Sequence, residues 1–410
     1  MTVRDTLTCA VETLAYGGDG IARVGGCVVF IPGTVPGETV RVTVTQVKKN
    51  FARAAVLDVP APSPLRIAPC CRVPDPDTGE ASRVPGCVYD HLDYAAELQA
   101  KQQQLEGFIR RLPACSETPF LPPFASPLPL HYRNKMVLHA AGYRGAMRLG
   151  YRLEPSHSVL DISACPLACG PINEALDAFR RSGAFRKTRT PYDITFRHTP
   201  HDGTLVWRDD EKPEPAGDTL LTEGSPAGPL RVPHNGFYQV NPAVGEALVQ
   251  TVADWFSESP ATPDLLDLYC GVGVFGLACR KAGAARLTGI ESGRAAVSAA
   301  RQNASALGLP ATFHCHALGQ DRVDLSGLIT APERTACIVD PPRDGLAPGV
   351  AQALAASGLS RIFYVSCDPS TLARDLKTLL AGGYRITRAR LFDMFPRTAH
   401  FETLAELQRG

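Results

Sequence analysis

The chain has 410 residues, 44% of them hydrophobic and 20% charged, which is typical of a globular protein of two or three domains. No apolar run approaches the roughly 20 residues of a membrane span, and no apolar secretory signal begins the chain, so we expect a cytoplasmic protein without a membrane partner. Because the 42 basic and 41 acidic residues nearly cancel, a nucleic-acid partner would need a local basic patch.

Residues 1–60 predict a small all-β unit. Their β-branched residues alternate with polar ones, and turns are indicated at GGDG, GG, PGTVPGE and KKN. Five short strands with turns at this spacing predict a small barrel. The proline-rich segment at 60–69 then predicts a linker.

Residues 61–225 predict a central α+β domain. A cysteine-rich stretch comes first, and an uninterrupted helical pattern follows at 94–112. From about 130 onward the segments HYRNKMVLHAAGY and AMRLGYRL predict a mixed, mostly antiparallel region, and INEALDAFRRSG predicts a helix.

Residues 226–410 have a different character. Strand-like segments such as LLDLY, ACIVD and RIFYVSC alternate there with helical ones such as VGEALVQTVADWF and TLARDLKTLLAGG. This alternation predicts a doubly wound α/β domain with a parallel sheet.

The sequence LLDLYCGVGVFG indicates a cofactor loop. It places Gly271 and Gly273 directly after a predicted strand and at the start of a helix, and Glu291 follows at the end of the next strand. Glycines allow the backbone to approach a ligand closely, and the acidic side chain can accept hydrogen bonds from ribose hydroxyls. The pattern predicts an adenosyl cofactor but leaves a dinucleotide and S-adenosylmethionine equally open.

Two later strand ends carry reactive side chains. Asp340 ends one predicted strand and Cys367 ends the next, so both should face the ligand crevice of an open α/β sheet. Asp368 suits the N-cap of the following helix and Pro369 its first position. A helix N-terminus stabilises a thiolate, which predicts that Cys367 is a nucleophile. A buried structural thiol is the alternative.

These motifs carry a family resemblance. DLYCGVGVFG, VDPPRDGL, SCDPSTLARDL and HFETLAEL resemble the signature sequences of the S-adenosylmethionine-dependent RNA uracil-C5 methyltransferases, in the same order through nearly the whole chain. The first sixty residues resemble the TRAM barrel of that family, and FYQVNP at 237–242 resembles its cofactor-binding lead-in. The implied fold is a Rossmann-like methyltransferase domain preceded by a small TRAM barrel and a central domain. The resemblance also implies that the helix at 94–112 packs on the methyltransferase domain in spite of its early position.

The resemblance implies a mechanism and assigns residues to it. Uracil C5 is too weakly nucleophilic to take a methyl group unaided, so a thiolate first adds at C6, and a base later removes the C5 proton. The implied nucleophile is Cys367 and the implied base is Glu402. The residues implied to line S-adenosylmethionine are Gln239, Tyr269, Glu291 and Asp340. The resemblance implies a second role for Asp340, which is to orient the uracil.

Other activities are disfavoured. Exocyclic-amine methyltransferases usually have an aromatic residue where Arg343 stands, and RNA cytosine-C5 enzymes usually have a cysteine after the proline of the equivalent strand end. A nicotinamide-dependent oxidoreductase would tolerate the glycine loop but would leave Asp340, Cys367 and Glu402 without roles. A non-catalytic RNA-binding protein that uses the barrel and a basic patch is the remaining alternative.

The family often holds a [4Fe–4S] cluster on four cysteines, and the resemblance implies such a site here. Cys87 and Cys165 match the third and fourth ligands and Cys70 suits the first, whereas the usual second position is Val84. Cys71 could substitute, with Cys169 in reserve; zinc or a lost site are the alternatives. We expect six further cysteines to be core residues: Cys9, Cys27, Cys115, Cys279, Cys315 and Cys337.

An RNA surface is predicted where basic and aromatic residues alternate. No acidic residue lies between Glu117 and Glu154, a stretch that contains Arg133 and Lys135 and suits phosphate contacts and base stacking. A solvated basic face is the equally weighted alternative, and Arg343 is a further candidate for RNA. The target uridine must leave its stack, so we expect an RNA loop rather than an intact duplex as the substrate. We expect the protein to be a monomer. With its barrel and cysteines the chain resembles the ribosomal-RNA branch of the family more than the transfer-RNA branch, which implies ribosomal RNA as the substrate and leaves transfer RNA open. The other basic and aromatic residues of the stretch are Tyr132, Tyr143, Arg144, Arg148, Tyr151 and Arg152.

Overall fold

The computed structural model describes residues 1–75, 79–143, 145–153, 158–187, 190–209, 220–259, 263–319, 325, 327–329 and 331–410. Three larger sheets organise these residues, with two short two-stranded sheets between them. None of the helices in these ranges combines the length and the apolar character needed to cross a membrane.

The first six strands form one sheet in the order β1-β5-β6-β4-β3-β2. Val40, Val42 and Val44 of β5 are buried and alternate with more exposed residues, the pattern of a strand with one face in a core. The sequence predicts five strands here, and the additional one is β2, whose two residues are too few to form an alternating pattern. The bounds are β1 (Thr6–Ala10), β2 (Thr13–Leu14), β3 (Gly20–Val24), β4 (Cys27–Ile31), β5 (Thr39–Val47) and β6 (Phe51–Ala61).

A short hairpin and a long helix connect this sheet to the next. The hairpin consists of β7 (Arg72–Pro74) and β8 (Ala81–Arg83), and the helix is α1 (Tyr94–Ile109). Asp93 caps α1, since its side chain accepts hydrogen bonds from two backbone N–H groups of the first turn. The sequence predicts a helix to residue 112, but α1 ends at Ile109 because Leu112 precedes a proline, where the helical conformation is disfavoured.

The central sheet is antiparallel, as the sequence predicts. Its order is β11-β10-β9-β12-β13, and each neighbouring pair of strands is antiparallel. Helix α2 ends at Gly183, which adopts a left-handed conformation (φ 66°) that favours glycine. The bounds are β9 (Lys135–Tyr143), β10 (Ala146–Arg152), β11 (Val159–Asp161), α2 (Gly170–Ser182), a 3-10 helix (Ala184–Arg186), β12 (Tyr192–Thr199) and β13 (Gly203–Arg208).

Strands and helices alternate in the last part of the chain, as the sequence predicts. The hairpin of β14 (Leu220–Glu223) and β15 (Leu230–Pro233) leads into it. The further bounds are α3 (Pro242–Ser257), β16 (Asp264–Leu268), α4 (Val274–Lys281), β17 (Arg286–Glu291), α5 (Arg294–Ala306), β18 (Thr312–Cys315), a 3-10 helix (Pro332–Arg334), β19 (Thr335–Val339), α6 (Pro348–Ala356), β20 (Arg361–Ser366), α7 (Pro369–Ala381), β21 (Tyr384–Phe392) and β22 (Glu402–Arg409).

The seven-stranded sheet has the order β18-β17-β16-β19-β20-β22-β21. The five strands β18, β17, β16, β19 and β20 are parallel to one another. Strand β22 is antiparallel to both β20 and β21. The chain proceeds from β16 to one side through β17 and β18, and then to the other side through β19 and β20. The order therefore reverses between β16 and β19, where open α/β sheets bind ligands.

Helix α1 packs against the seven-stranded sheet and its helices although it lies far earlier in the chain. Leu105 and Ile109 of α1 belong to the same buried cluster as Leu372 and Leu376 of α7. Burial of such leucine and isoleucine side chains contributes roughly 1.5–3 kcal/mol each. The cluster thus joins the segment that follows the first sheet to the last helix of the chain.

Candidate active site

A cavity of about 920 Å³ lies at the carboxyl ends of the parallel strands. Tyr269 enters it directly after β16, and Glu291 is the last residue of β17. Asp340 follows β19 and Cys367 follows β20, and both also line the cavity. The topology thereby brings together four of the residues that the sequence singles out from separate segments.

The glycine loop forms one wall of the cavity. Tyr269, Gly271 and Gly273 all have positive φ angles, of 62°, 54° and 87°. A Cβ atom at Gly271 would meet nothing within 4 Å, so the space beside this backbone is open. Gly273 is not a lining residue: a Cβ there would meet Leu277 at 3.1 Å, so this glycine serves the packing of the turn.

Glu291 closes the loop from the neighbouring strand. One of its carboxylate oxygens accepts a hydrogen bond from the backbone N–H of Gly271 at 3.2 Å, and the other accepts one from the N–H of Gly293 at 2.7 Å. These contacts hold the carboxylate at the cavity wall. Its remaining acceptor positions can face a ligand, because a carboxylate has about four lone-pair sites.

Gln239 reaches the cavity from the segment before α3. It is buried, and α3 approaches it so closely that a Cβ on Gly245 would lie 2.8 Å from the Gln239 Cβ. Gly245 is thus a position where only glycine fits without displacement. Phe237 lines the same cavity two residues earlier and is 74% exposed, which makes it the most exposed of the large hydrophobic side chains in the described residues.

Cys367 lies between β20 and α7 and is half-buried. Asp368 caps α7, since one carboxylate oxygen accepts hydrogen bonds from the backbone N–H groups of Ser370 at 2.9 Å and Thr371 at 3.0 Å. The helix N-terminus alone would favour a thiolate. Burial nevertheless raises the pKa of Cys367 to about 12, and the carboxyl groups of Glu402 and Asp340 act in the same direction. In the ligand-free site these effects favour the thiol form of Cys367, and its role as the nucleophile stays a prediction.

Two carboxyl groups lie near this sulfur: that of Glu402 is buried, and that of Asp340 is half-buried. Glu402 is the first residue of β22, and its neighbour Thr403 pairs with Ser366, the residue before Cys367. Burial, followed by the carboxyl group of Asp340, holds the pKa of Glu402 well above its usual range. Burial also raises the pKa of Asp340 to about 7. The site therefore holds a thiol and two weakly acidic carboxyl groups at one end of the cavity.

Arg343 and His400 supply the basic side chains near these acids. Arg343 lowers the pKa of Cys367, which opposes the effect of burial. Its backbone carbonyl accepts a hydrogen bond from the Thr371 hydroxyl at 3.2 Å, which ties the Arg343 loop to the first turn of α7. Burial and then Arg343 lower the pKa of His400, so this ring is neutral near pH 7. Both residues line the cavity.

The central part of the chain forms the opposite wall. Arg133 lines the cavity and is half-buried, and its Nε atom has no hydrogen-bond partner among the described residues. Lys135 is not among the lining residues; it lies on β9, where it pairs with Arg197 of β12. Of the three residues predicted to contact RNA, Arg133 and Arg343 therefore line the same cavity, whereas Lys135 lies outside it.

The other residues of the predicted RNA stretch have different surroundings. Tyr132 is buried, and its hydroxyl donates a hydrogen bond to the carbonyl of Pro396 at 3.2 Å, so its ring is not free to stack on a base. Tyr151 lines the cavity. Arg144 and Glu154 lie outside the described residues.

The four proposed cluster cysteines are close together but form no metal site. Cys71, Cys87 and Cys165 are buried in one core cluster, against which Cys70 packs. A hydrogen bond with Cys71, together with burial, raises the pKa of Cys70, and the Tyr151 hydroxyl donates to Cys165 Sγ at 3.2 Å. Metal ligation requires thiolates, whereas the contact with Cys71 and burial favour the protonated form of Cys70.

The prediction of a [4Fe–4S] cluster is accordingly not supported. Within the described part of the chain, no group of three or more cysteine, histidine or acidic side chains is placed so that it could hold a metal ion. Zinc fails on the same ground. Val84, which stands where the resemblance implies the second ligand, is a buried core residue. The reserve ligand Cys169 instead occupies the N-cap of α2.

The core assignment of the remaining six cysteines holds for four of them. Cys9, Cys115, Cys279 and Cys337 are buried. Cys27 is half-buried and Cys315 is exposed, so the prediction is wrong for Cys315. Cys315 ends β18, the edge strand of the large sheet, where one side of the strand has no neighbour within the described part of the chain.

Two family models match the chain. The TRAM domain model matches residues 1–57, which contain the first five strands and part of the sixth. The model described as tRNA (Uracil-5-)-methyltransferase matches residues 324–409. The second range contains Asp340, Cys367 and Glu402.

Relatives match over the whole chain. The 23S rRNA (uracil(1939)-C(5))-methyltransferase RlmD of Chromohalobacter salexigens is 34% identical, over 100% of this chain and 91% of that protein. An uncharacterized RNA methyltransferase of Thermosynechococcus vestitus is 31% identical, over 98% of each chain. The chain belongs to the RNA (uracil-5-)-methyltransferase family. The resemblance found in the motifs is confirmed, and the oxidoreductase and non-catalytic alternatives are wrong.

A solved structure confirms the fold of this RNA methyltransferase. The tRNA (uracil-54, C5)-methyltransferase of Pyrococcus abyssi, in complex with S-adenosyl-L-homocysteine, superposes with a TM-score of 0.72 over 98% of this chain and 99% of that one. The two sequences are 24% identical, so the likeness concerns the fold. The predicted α/β methyltransferase architecture with an N-terminal TRAM unit is therefore confirmed.

Sequence reasoning missed several residues of this site. Phe237 and His400 line the cavity and lie inside motifs that the sequence analysis quotes, yet no role was assigned to either. Their signal was position: each lies two residues from a predicted site residue, Gln239 or Glu402, so that both side chains leave an extended segment on the same side. Tyr16 of the first sheet contacts Asp368, and no local pattern indicates this contact.

Proposed function

We propose that this chain transfers a methyl group from S-adenosylmethionine to C5 of a uridine in RNA, through a covalent bond between Cys367 Sγ and C6 of the uracil. The observation that carries the proposal is the convergence of Cys367 and Glu402 on one cavity with the glycine loop. Membership in the RNA (uracil-5-)-methyltransferase family supports the choice of acceptor atom.

The cavity suits S-adenosylmethionine. The open space beside Gly271 would allow the cofactor to approach the backbone closely. Glu291 offers a carboxylate that can accept hydrogen bonds from the ribose hydroxyls. Gln239, Tyr269 and Asp340 line the rest of this part of the cavity. S-adenosylmethionine, when bound, supplies an electrophilic methyl group to C5 and leaves as a neutral thioether.

Cys367 begins the reaction. Its thiol must lose a proton before Sγ can add to C6, and burial opposes this loss. Asp340 has a pKa of about 7, so a fraction of its carboxyl groups is ionised at neutral pH and can accept the proton. Arg343 stabilises the resulting thiolate. Addition at C6 moves the ring electrons to C5 and the carbonyl oxygen, which makes C5 nucleophilic.

Glu402 ends the reaction. After methylation its carboxylate removes the C5 proton; the C5–H electron pair forms the C5–C6 double bond, and the C6–S bond breaks to return the electron pair to Cys367. Burial makes this carboxylate a strong base once it is ionised, because its pKa lies well above the usual range. The proposed nucleophile and base thus lie at the same end of one antiparallel strand pair.

RNA would approach along the wall opposite the glycine loop. The unpaired Nε of Arg133 and the side chain of Arg343 place positive charge on the cavity, where phosphate or base oxygens could accept hydrogen bonds. We extend the proposal to three domains: a TRAM-like barrel at 1–60, a central RNA-facing domain at 61–225 and the methyltransferase domain at 226–410. Lys135 would contact RNA only outside the cavity.

Ribosomal RNA is the favoured substrate. Relatives named as 23S rRNA methyltransferases match over nearly the full length at 30–34% identity. Transfer RNA is the second candidate, because the matching family model carries that name. The protein is incubated with transcripts of 23S rRNA and of transfer RNA, and the methylated position is located by mass spectrometry. We expect one methylated uridine in 23S rRNA. Methylation of transfer RNA alone would make transfer RNA the substrate instead.

A covalent trap tests the chemistry. RNA with 5-fluorouridine at the target site should form an adduct that withstands denaturing gel electrophoresis in the presence of S-adenosylmethionine, since fluorine blocks removal of the C5 substituent. Cys367→Ala should abolish this adduct, whereas the control Cys27→Ala, in the first sheet, should keep it. An adduct that persists in Cys367→Ala would refute the proposed nucleophile, and absence of any adduct in the unmodified protein would refute the covalent mechanism.

A further inference from the structure

A loop of the first sheet reaches the catalytic end of the last one. We name residues 15–19, which connect β2 to β3, the barrel loop. It is a tight turn in which the N–H of Ala15 donates to the carbonyl of Asp19 at 2.8 Å. Gly17 and Gly18 have φ angles of 106° and 95°, which side chains other than glycine rarely adopt. The turn therefore has a defined shape that presents Tyr16.

Helix α1 holds the barrel loop in place. The Gln104 side-chain amide donates hydrogen bonds to the carbonyl of Ala15 and to the Tyr89 hydroxyl, each at 3.0 Å. On the other side, a Cβ at Gly18 would lie 2.7 Å from Val88. The loop is thus packed between α1 and the segment before it, and its position is fixed relative to the seven-stranded sheet.

Tyr16 bridges from this loop to the active site. Its ring packs edge-to-face against Phe108 of α1, with ring centroids 5.7 Å apart, and against Phe401, with centroids 6.1 Å apart. Its hydroxyl donates a hydrogen bond to Asp368 Oδ2 at 3.2 Å. Phe401 precedes Glu402 and Asp368 follows Cys367, so one side chain touches the chain neighbours of both groups.

The carboxylate of Asp368 is shared between the helix and the barrel loop. Its Oδ1 atom accepts the backbone hydrogen bonds that cap α7, and its Oδ2 atom accepts the Tyr16 hydroxyl. A carboxylate bound at both oxygens has its orientation fixed. Because Asp368 is adjacent to Cys367, its orientation also sets the backbone direction at the sulfur-bearing residue.

We propose that Tyr16 is a positioning residue that fixes Cys367, through Asp368, for attack on the uracil. The inference deepens the proposed function and rests on it. It gives the first sheet a part in the chemical step in addition to any contact with RNA. The hydroxyl carries this effect, whereas the ring holds the barrel loop against Phe108 and Phe401.

The test separates positioning from docking of the barrel. Tyr16→Phe keeps the ring and removes the hydrogen bond to Asp368. Tyr89→Phe is the matched control, because it removes a hydroxyl that bonds Gln104 in the same contact but does not reach Asp368. For each protein, RNA affinity is measured by filter binding, and the rate of adduct formation with 5-fluorouridine RNA is measured in single turnover at saturating RNA and cofactor.

Tyr16→Phe should slow adduct formation about 10-fold, the effect of a hydrogen bond to a charged group, and leave RNA affinity within about 2-fold. Tyr89→Phe should leave the rate within about 2-fold. An unchanged rate in Tyr16→Phe, an equal loss in Tyr89→Phe, or a loss confined to RNA affinity would each overturn the inference.

A double variant tests the path through Asp368. Asp368→Asn should slow adduct formation, and adding Tyr16→Phe to it should cause little further loss, since the two groups act through one hydrogen bond. Fully additive losses would contradict the inference. Failure of the proposed function is distinguishable, because it would remove the adduct from the unmodified protein as well.

Discussion

The active site and the cysteine core of the central region show two different relations between motif and structure. Asp340 and Cys367 each follow a parallel strand, and the order of the sheet brings them to one cavity. The cysteines come from a hairpin region and a distant loop, and their thiols contact one another and Tyr151 without forming a metal site. A residue type at a strand end therefore predicts a site better than cysteine spacing along irregular chain.

The largest expected effect comes from removing Glu402, the proposed general base of the active site. Glu402→Gln keeps the size of the side chain but cannot accept the C5 proton, so turnover on RNA should fall about 1000-fold. The methylated protein–RNA adduct should accumulate and be visible by denaturing gel electrophoresis. Glu174→Gln on the exposed surface of α2 is the control with unchanged turnover. Near-normal turnover in Glu402→Gln would exclude Glu402 as the base.

A second test removes the buried Lys101 side chain, which joins α1 to Asp393 after β21. Lys101 Nζ lies 2.8 Å from a Glu97 oxygen and 2.7 Å from an Asp393 oxygen, and all three side chains are buried. Lys101→Met leaves Asp393 without this buried cation and Glu97 with Arg397 as its remaining cationic partner, which should lower the free energy of unfolding by about 3–5 kcal/mol. Urea denaturation measures this change.

The exposed pair of Arg181 and Asp177 provides the control for that change. Arg181→Met should cost less than about 1 kcal/mol, because exposed ion pairs are screened by water. A similarly small cost for Lys101→Met would contradict the role assigned to the buried cluster.

A third test concerns the protonation of Cys367. Its pKa of about 12 means that only a small fraction is thiolate near neutral pH and that this fraction rises with pH. In the ligand-free protein, alkylation of Cys367 by iodoacetamide should accelerate about tenfold for each pH unit between 7 and 9, measured by peptide mass spectrometry. A cysteine peptide, with a pKa of about 8.5, should begin to level off in this range. A plateau for Cys367 near pH 7 would instead indicate a depressed pKa.

The smallest effect tests the cysteine core. Cys87→Ala removes one buried sulfur and should cost about 1 kcal/mol of unfolding free energy without changing the iron content or the visible absorption of the purified protein. Cys279→Ala, equally buried in the catalytic half, should cost about the same. A much larger loss of unfolding free energy in Cys87→Ala, together with a loss of iron from the protein, would instead support the predicted metal site.

The sequence supports the fold and most of the site because the relevant signals are local. The alternation of strands and helices after residue 226 predicts the parallel sheet, and the glycine loop, Asp340 and Cys367 follow from their positions at strand ends. Glu402 required the family resemblance, since a glutamate in a terminal strand is usually on the surface. Its burial depends on β22 being inserted between β20 and β21, which no local pattern indicates.

The parts that sequence reasoning did not predict depend on distant contacts or on competing energies. Tyr16 meets Asp368 across 352 positions of the chain, so only the packed structure reveals the pair. The raised pKa of Cys367 reflects burial that outweighs the helix N-terminus, and burial cannot be calculated from the motif alone. The exposure of Cys315 likewise depends on β18 being the edge strand of its sheet.

The pairing of Ser366 with Thr403 has a consequence for tolerance to change. Residues opposite one another on antiparallel strands are separated by about 4.5–5.5 Å, a spacing that the backbone ladder imposes and that loop fluctuations do not alter. Slippage of β22 by a single residue would reverse the direction of every side chain on it and turn Glu402 away from the sulfur. Substitutions in these two strands that misalign the ladder should therefore lower the activity of the enzyme although they are remote from any ligand.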